Sequence, residues 1–115
     1  MSDSPFSAQV RTQTGLAIID LSGDINAFAE ASLNAAYAEA ESSNPGKIVL
    51  NFTDAEYINS TGIALIVSLL ARARKTRRVM AVYGLSEHYQ EIFQITRLSD
   101  FMTIFQDEPS ALQTT

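Results

Sequence analysis

Strand-period and helix-period segments alternate along this chain, and that alternation limits the fold more than any other feature. Phe6, Ala8 and Val10 fall at every second position of "FSAQVRTQ" (6–13), the period of a half-buried strand. "TG" at 14–15 is a turn signal and "LAIIDL" (16–21) reads as a second strand, so the two are expected to form a hairpin. "SGD" (22–24) is read as the break that ends it. From about 28 to 42 the period changes: Leu33, Ala36, Tyr37 and Ala40 lie at i, i+3, i+4 and i+7, one helical stripe. "SSNPG" (42–46) stops that helix with proline and glycine.

"KIVLNF" (47–52) is a short apolar, β-branched run and the best candidate for the central strand. A helix is predicted over 61–75, a strand over 78–84 and a second amphipathic helix over 86–96, with Ser86 as its N-cap. "FMTIF" (101–105) supplies the last strand, and a short helix is expected to start near Pro109. The order β-β-α-β-α-β-α-β-α describes an α/β fold, a mixed and mostly parallel β-sheet with crossover helices.

A length of 115 residues suits a single domain, 1–115, with a core over about 7–110 and looser ends. A net charge of −5 argues against general nucleic-acid binding. With no cysteine and one histidine, His88, neither a thiolate nor a histidine zinc site can be assembled, and no cofactor is implied. The first residues, "MSDSPFSAQVRTQTG", carry no basic and apolar leader pattern. The longest apolar stretch, "GIALIVSLLA" (62–71), is about half a membrane span, so a cytoplasmic protein without membrane insertion is expected. In that compartment the glycosylation patterns "NFT" (51–53) and "NST" (59–61) are coincidences.

No catalytic constellation survives inspection. Serine hydrolysis needs a base, and His88 near a helix start reads as an exposed or capping residue. Glu87 and Glu91, at i and i+4, read as a solvated helix face. Asp54 follows the third strand as in a phosphorelay receiver, but the acidic pair and the late lysine that chemistry needs are missing. The run "RARKTRR" (72–78) holds five of the eight basic residues. It reads either as cations complementing a helix C-terminus or as a patch facing an anionic protein or membrane.

The segment "DAEYINSTGIALI" (54–66) places a polar knot between an apolar strand and an apolar helix. Ser60 or Thr61 suits the N-cap of that helix. Yet capping needs one hydroxyl and two are offered, and Gly62 permits close approach of another chain. Ile63, Ile66, Val67 and Leu70 form one stripe, while Leu65 and Leu69 project about 120° from it, as a docking strip would. A hydroxyl at a helix N-terminus also suits phosphorylation, because free N–H groups and the positive dipole end tolerate a dianion. The residues alone leave cap and switch both open.

Three segments, "IIDLSGDIN", "KIVLNFTDAEYINSTGIALI" and "LSEHYQEIFQITRLSDFMTIF", give the chain a resemblance to STAS domains of the anti-sigma factor antagonist type, over about residues 7–110. The most specific part is the Asp-Ser-Ser/Thr-Gly motif after the third strand, here Asn59-Ser60-Thr61-Gly62. The resemblance implies a bacterial, non-enzymatic phospho-switch in which Ser60 is the phosphoacceptor. The unphosphorylated form would bind a serine kinase that is also an anti-sigma factor, and a PP2C-type phosphatase would reset it. Asn26, Asn59, Thr61, Gly62, Leu65 and Leu69 would be partner contacts, on a monomer or weak homodimer. The chain departs from the family twice, with Asn59 and Asn26 where aspartates are frequent, and both loops are expected at one end of the sheet. An amide keeps the shape of the carboxylate and loses its charge. Two other roles fit the same resemblance: a constitutively docked STAS subunit of a lipid- or membrane-transport ATPase, and a scaffold subunit of a stress-signalling complex.

Overall fold

A computed structural model describes residues 4–113. Five strands, β1 (Ser7–Gln13), β2 (Leu16–Ile25), β3 (Lys47–Ile58), β4 (Val79–Tyr83) and β5 (Thr103–Phe105), lie in that spatial order in one sheet. The helices are α1 (Glu30–Glu41), α2 (Ser60–Lys75), α3 (Glu87–Ile95) and α4 (Glu108–Leu112). β1 and β2 form the expected antiparallel hairpin, and every other neighbouring pair is parallel. β3 is the central strand, with Ile48, Val49 and Leu50 fully buried.

The period-2 pattern of β2 divides the interior. Ala17, Ile19 and Leu21 join the larger core with the predicted stripe of α1, with Ile66, Leu69, Leu70 and Ala73 of α2, and with Phe93 of α3. Leu16 and Ile18 point to the opposite face, where Val49, Ala81 and Tyr83 are covered by Ala111 of α4. Ser86 caps α3 as expected, accepting from the Tyr89 N–H.

Three boundaries differ from the sequence reading. "SGD" does not end β2: the strand continues to Ile25, with register shifts between Asp20 and Ser22 and between Gly23 and Asp24. Gly23 takes φ 83, a left-handed geometry that lets the strand kink and resume. β3 likewise runs on through "TDAEYI" to Ile58, because the prolonged β2 gives it a partner up to the pair Ile25–Ile58. At the far edge, Phe101 and Met102 lie in a turn and β5 is only three residues long.

The basic run behaves in part as a helix C-terminus: Arg72, Arg74 and Lys75 lie in the last turn of α2. Arg72 and Arg78 both pair with Glu41, at 3.0 and 3.5 Å, and Arg78 also donates to the Pro45 carbonyl. These bonds tie the α2–β4 loop to the end of α1.

On the α4 face a polar chain crosses four strands. Arg11 of β1 pairs with Asp20 of β2 and Glu108 of α4, each at 2.7 Å. Asn51 of β3 donates to Asp20, and the Tyr83 hydroxyl of β4 donates to Glu108. The Arg11 guanidinium holds both carboxyls below their ordinary range, while burial, followed by the bond to Glu108, holds the Tyr83 phenol protonated well above its own. Carboxyls depressed in the folded state stabilise it at neutral pH, and that contribution is lost as pH falls through their folded values, below about 4. Melting temperatures between pH 6 and pH 2.5 should therefore fall less steeply for Arg11→Gln than for the parent chain. Parallel curves would mean that the network adds no pH-dependent stability.

Candidate functional site

The carboxyl ends of β2 and β3 lie side by side and each passes directly into a helical turn. The Asn59 N–H donates to the Ile25 carbonyl at 3.2 Å, so the two exits are held together at one end of the sheet, as expected. Asn26 opens a single 3-10 turn, Ala27–Ala29, and its Oδ1 accepts from the Phe28 N–H at 2.9 Å. Asn59 opens α2, and its Oδ1 accepts from the Gly62 N–H at 2.8 Å while its carbonyl receives the Ile63 N–H.

Neither Ser60 nor Thr61 is therefore the cap. Asn59 takes that position because its extended backbone (φ −88, ψ −177) leaves β3 directly, and Ser60 becomes the first residue inside the helix. The consequence is chemical. Both hydroxyls are exposed, and neither makes a hydrogen bond among the described residues. The Ser60 and Thr61 N–H groups belong to the first helical turn, where no intrahelical carbonyl is available to them. An oxyanion carried on Ser60 would meet two free donors and the positive end of a 16-residue helix.

The two asparagines are thus paired helix caps, a role that aspartate and asparagine perform equally well. Asn59→Ala is expected to lose about 1 kcal/mol in urea denaturation, whereas Asn59→Asp should stay within about 0.5 kcal/mol of the parent. Equal midpoints for Asn59→Ala and the parent would show that the cap is not holding the helix.

The contact set expected from the sequence needs three corrections. Leu69 is fully buried and Leu65 packs against the core, so neither forms an exposed docking strip. The buried face of α2 is Gly62, Ile66, Leu69, Leu70 and Ala73, rotated from the expected stripe so that Val67 is turned outward. The small residues decide the rotation. Gly62 and Ala73 let the helix approach the sheet, and a Cβ on Gly62 would lie 2.1 Å from the Ile25 carbonyl oxygen. The close approach at Gly62 is therefore made by the chain's own β2, not by a partner. Asn26 and Asn59 are half-buried, and Ser60 and Thr61 remain on the surface.

Two aromatics escaped the sequence reading. Phe28 is 94% exposed in the 3-10 turn, which packs against α2, and Tyr57 is 53% exposed on the last turnout of β3. A signal for Phe28 was present: it lies off the Leu33–Ala36–Tyr37–Ala40 stripe, on the opposite side of the helical wheel. The rim around Ser60 thus combines two capping amides and two hydroxyls, with Phe28 exposed on the neighbouring turn that packs against α2. Exposed aromatics beside a polar centre are the usual composition of a protein-binding surface.

The family model described as the STAS domain matches residues 7–111. The anti-sigma-B factor antagonist of Listeria monocytogenes is 26% identical over 86 residues, covering 75% of each chain. An anti-sigma factor antagonist from Mycobacterium paratuberculosis superposes with a TM-score of 0.82 at 16% identity, over 96% of this chain and 94% of the other. The phosphorylated form of the Bacillus cell fate determinant SpoIIAA superposes with a TM-score of 0.70 at 18% identity, over 90% and 96%. Among the described residues no helix is long and apolar enough to cross a membrane.

Proposed function

This chain belongs to the STAS domain family, and from that premise we propose that it is an anti-sigma factor antagonist that works by binding and is switched by phosphorylation of Ser60. The observation that carries the reading is the freedom of the Ser60 hydroxyl. Asn59 does the capping, so Ser60 stands exposed at the first position of α2 with no structural duty to lose. Unphosphorylated, the surface of Phe28, Tyr57, Asn26, Ser60 and Thr61 binds an anti-sigma factor that is also a serine kinase. Phosphorylated, it presents a dianion beside the same rings and releases that partner, while the helix N-terminus accommodates the charge without refolding. A PP2C-type phosphatase returns it to the binding form. The amides at 26 and 59 keep the rim less acidic than aspartates would, which favours retention of phosphoserine.

Phe28 is the anchor of this surface. Its side chain supports nothing internally, so Phe28→Ala should leave the melting temperature unchanged and weaken partner binding by about thirtyfold, roughly 2 kcal/mol. The function is tested by affinity capture from the extract of the native cell, comparing parent, Ser60→Asp and Phe28→Ala. A protein kinase recovered by the parent and lost from both variants is the expected result. Recovery of a membrane ATPase equally by parent and Ser60→Asp would contradict the switch and favour a constitutive transport subunit.

A further inference from the structure

A groove of about 340 Å³ runs between the outer side of α2 and the turn that follows α3, at the end of the molecule away from Ser60. Its floor is apolar: Val67 and Leu70 come from α2, and Leu98 and Phe101 from the turn. Val67 is 42% exposed and Phe101 50%, an unusual allowance for a valine and a phenylalanine facing each other across a cleft. Its rim is cationic. The Arg74 guanidinium lies 4.6 Å over the Phe101 ring and has no carboxylate partner among the described residues. Arg97, held at φ 66 where α3 turns back, is largely exposed and is paired among the described residues with Asp100 of the same turn, at 2.8 Å.

The rest of the chain is charged the other way. Five of the eight basic residues lie in 72–78 and a sixth is Arg97, while the whole chain carries 13 acidic residues. Arg72 and Arg78 are turned toward Glu41 on α1, whereas Arg74 and Arg97 line the groove, Arg97 alongside Asp100 and Arg74 with no carboxylate beside it among the described residues. Along α2, Val67 and Arg74 are seven and fourteen residues beyond Ser60, about 10 and 20 Å at the helical rise. The groove thus begins about two helical turns beyond the serine.

We infer that this groove docks an acidic amphipathic segment of a partner protein, its apolar side chains entering between Val67 and Phe101 and its carboxylates meeting Arg74 and Arg97. The apolar residues line a groove between two elements, a shape that receives side chains more readily than it inserts into a lipid surface. Arginine is the cation suited to both contacts, since it stacks on an aromatic ring and still offers a planar fork to a carboxylate.

The probe is a synthetic helical peptide with leucine at i, i+3, i+4 and i+7 and glutamate at the flanking positions, titrated into the 15N-labelled chain. A matched peptide carrying lysine for glutamate and vesicles rich in phosphatidylglycerol form the other arms. The glutamate peptide should shift the amides of Val67, Arg74, Leu98 and Phe101, leave that of Ser60 in place, and weaken as salt rises. Arg74→Gln combined with Arg97→Gln should weaken it about tenfold, and Phe101→Ala should do so without a charge change. All three side chains are exposed, and a thermal melt of each variant confirms folding. The inference is overturned by equal binding of the lysine peptide, by shifts elsewhere or none, by vesicle binding without peptide binding, or by self-association of the chain through this face.

Discussion

Gly62→Ala is expected to lower the stability of this chain by about 2 kcal/mol net, more than any exposed substitution in the same helix. The added Cβ would sit 2.1 Å from the Ile25 carbonyl oxygen and 2.9 Å from its carbon, both backbone atoms that cannot rotate away. Ordinary contact requires the start of α2 to retreat by more than an ångström. That retreat strains the Asn59–Ile25 hydrogen bond and loosens Ile58 and Ile66 in the core beneath. Overpacking of this kind costs about 3 kcal/mol at the upper end of its usual range. Alanine's better helix propensity returns about 1 kcal/mol. Against a total stability of about 5–15 kcal/mol the remainder is large. Urea denaturation measures it, with Thr61→Ala as the exposed control, expected within about 0.5 kcal/mol of the parent. A Gly62→Ala chain as stable as the control would mean that the glycine does not set the seat of α2.

The second large effect concerns binding. Phosphorylation of Ser60 is expected to weaken the complex with the anti-sigma partner by about a hundredfold or more, near 3 kcal/mol, with little loss of stability. The asymmetry follows from position. Inside the chain the dianion meets the free N–H groups of Ser60 and Thr61 and the dipole of a long helix, which stabilise it. Outside, it lies at a helix start beside the turn that exposes Phe28, where a bound partner would have to strip it of water. Calorimetric titration of the phosphorylated and unphosphorylated chains, with parallel thermal melts, separates the two effects. A melt lowered as strongly as the affinity would point instead to a damaged helix start.

The parts of the molecule legible in its residues were those in which one local rule acted alone. The stripe of α1, the cap at Ser86, the hairpin and the central placing of "KIVLNF" each follow from period or turn chemistry, and the sheet is arranged as they imply. Elsewhere a tertiary contact overrides the local pattern. Gly23 looked like a terminator but is a kink inside β2, because β3 continues alongside and supplies hydrogen-bond partners. The orientation of α2 looked decided by its branched side chains. It is decided by Gly62 and Ala73, whose absent bulk lets the helix seat closely and buries Leu69. The same extension moved capping from the hydroxyls to Asn59, since β3 runs six residues past its apolar run, to Ile58, and Asn59 leaves it directly into the helix.

That displacement sharpened the candidate site. The two asparagines looked like losses of charge at a switch, and each proves to hold a helix start in place. The serine between them and Gly62 is left exposed and chemically idle, a position better suited to modification than a capping hydroxyl would be.

The most direct measurement is of mass. The chain and its Ser60→Ala variant are incubated with the partner kinase and ATP, and both are weighed intact. A single phosphoryl group gained by the parent and absent from Ser60→Ala is the expected result, with fragmentation placing it on residue 60. An equal gain by both proteins, or none by the parent in a complex that still forms, would contradict the proposal that Ser60 is the switch.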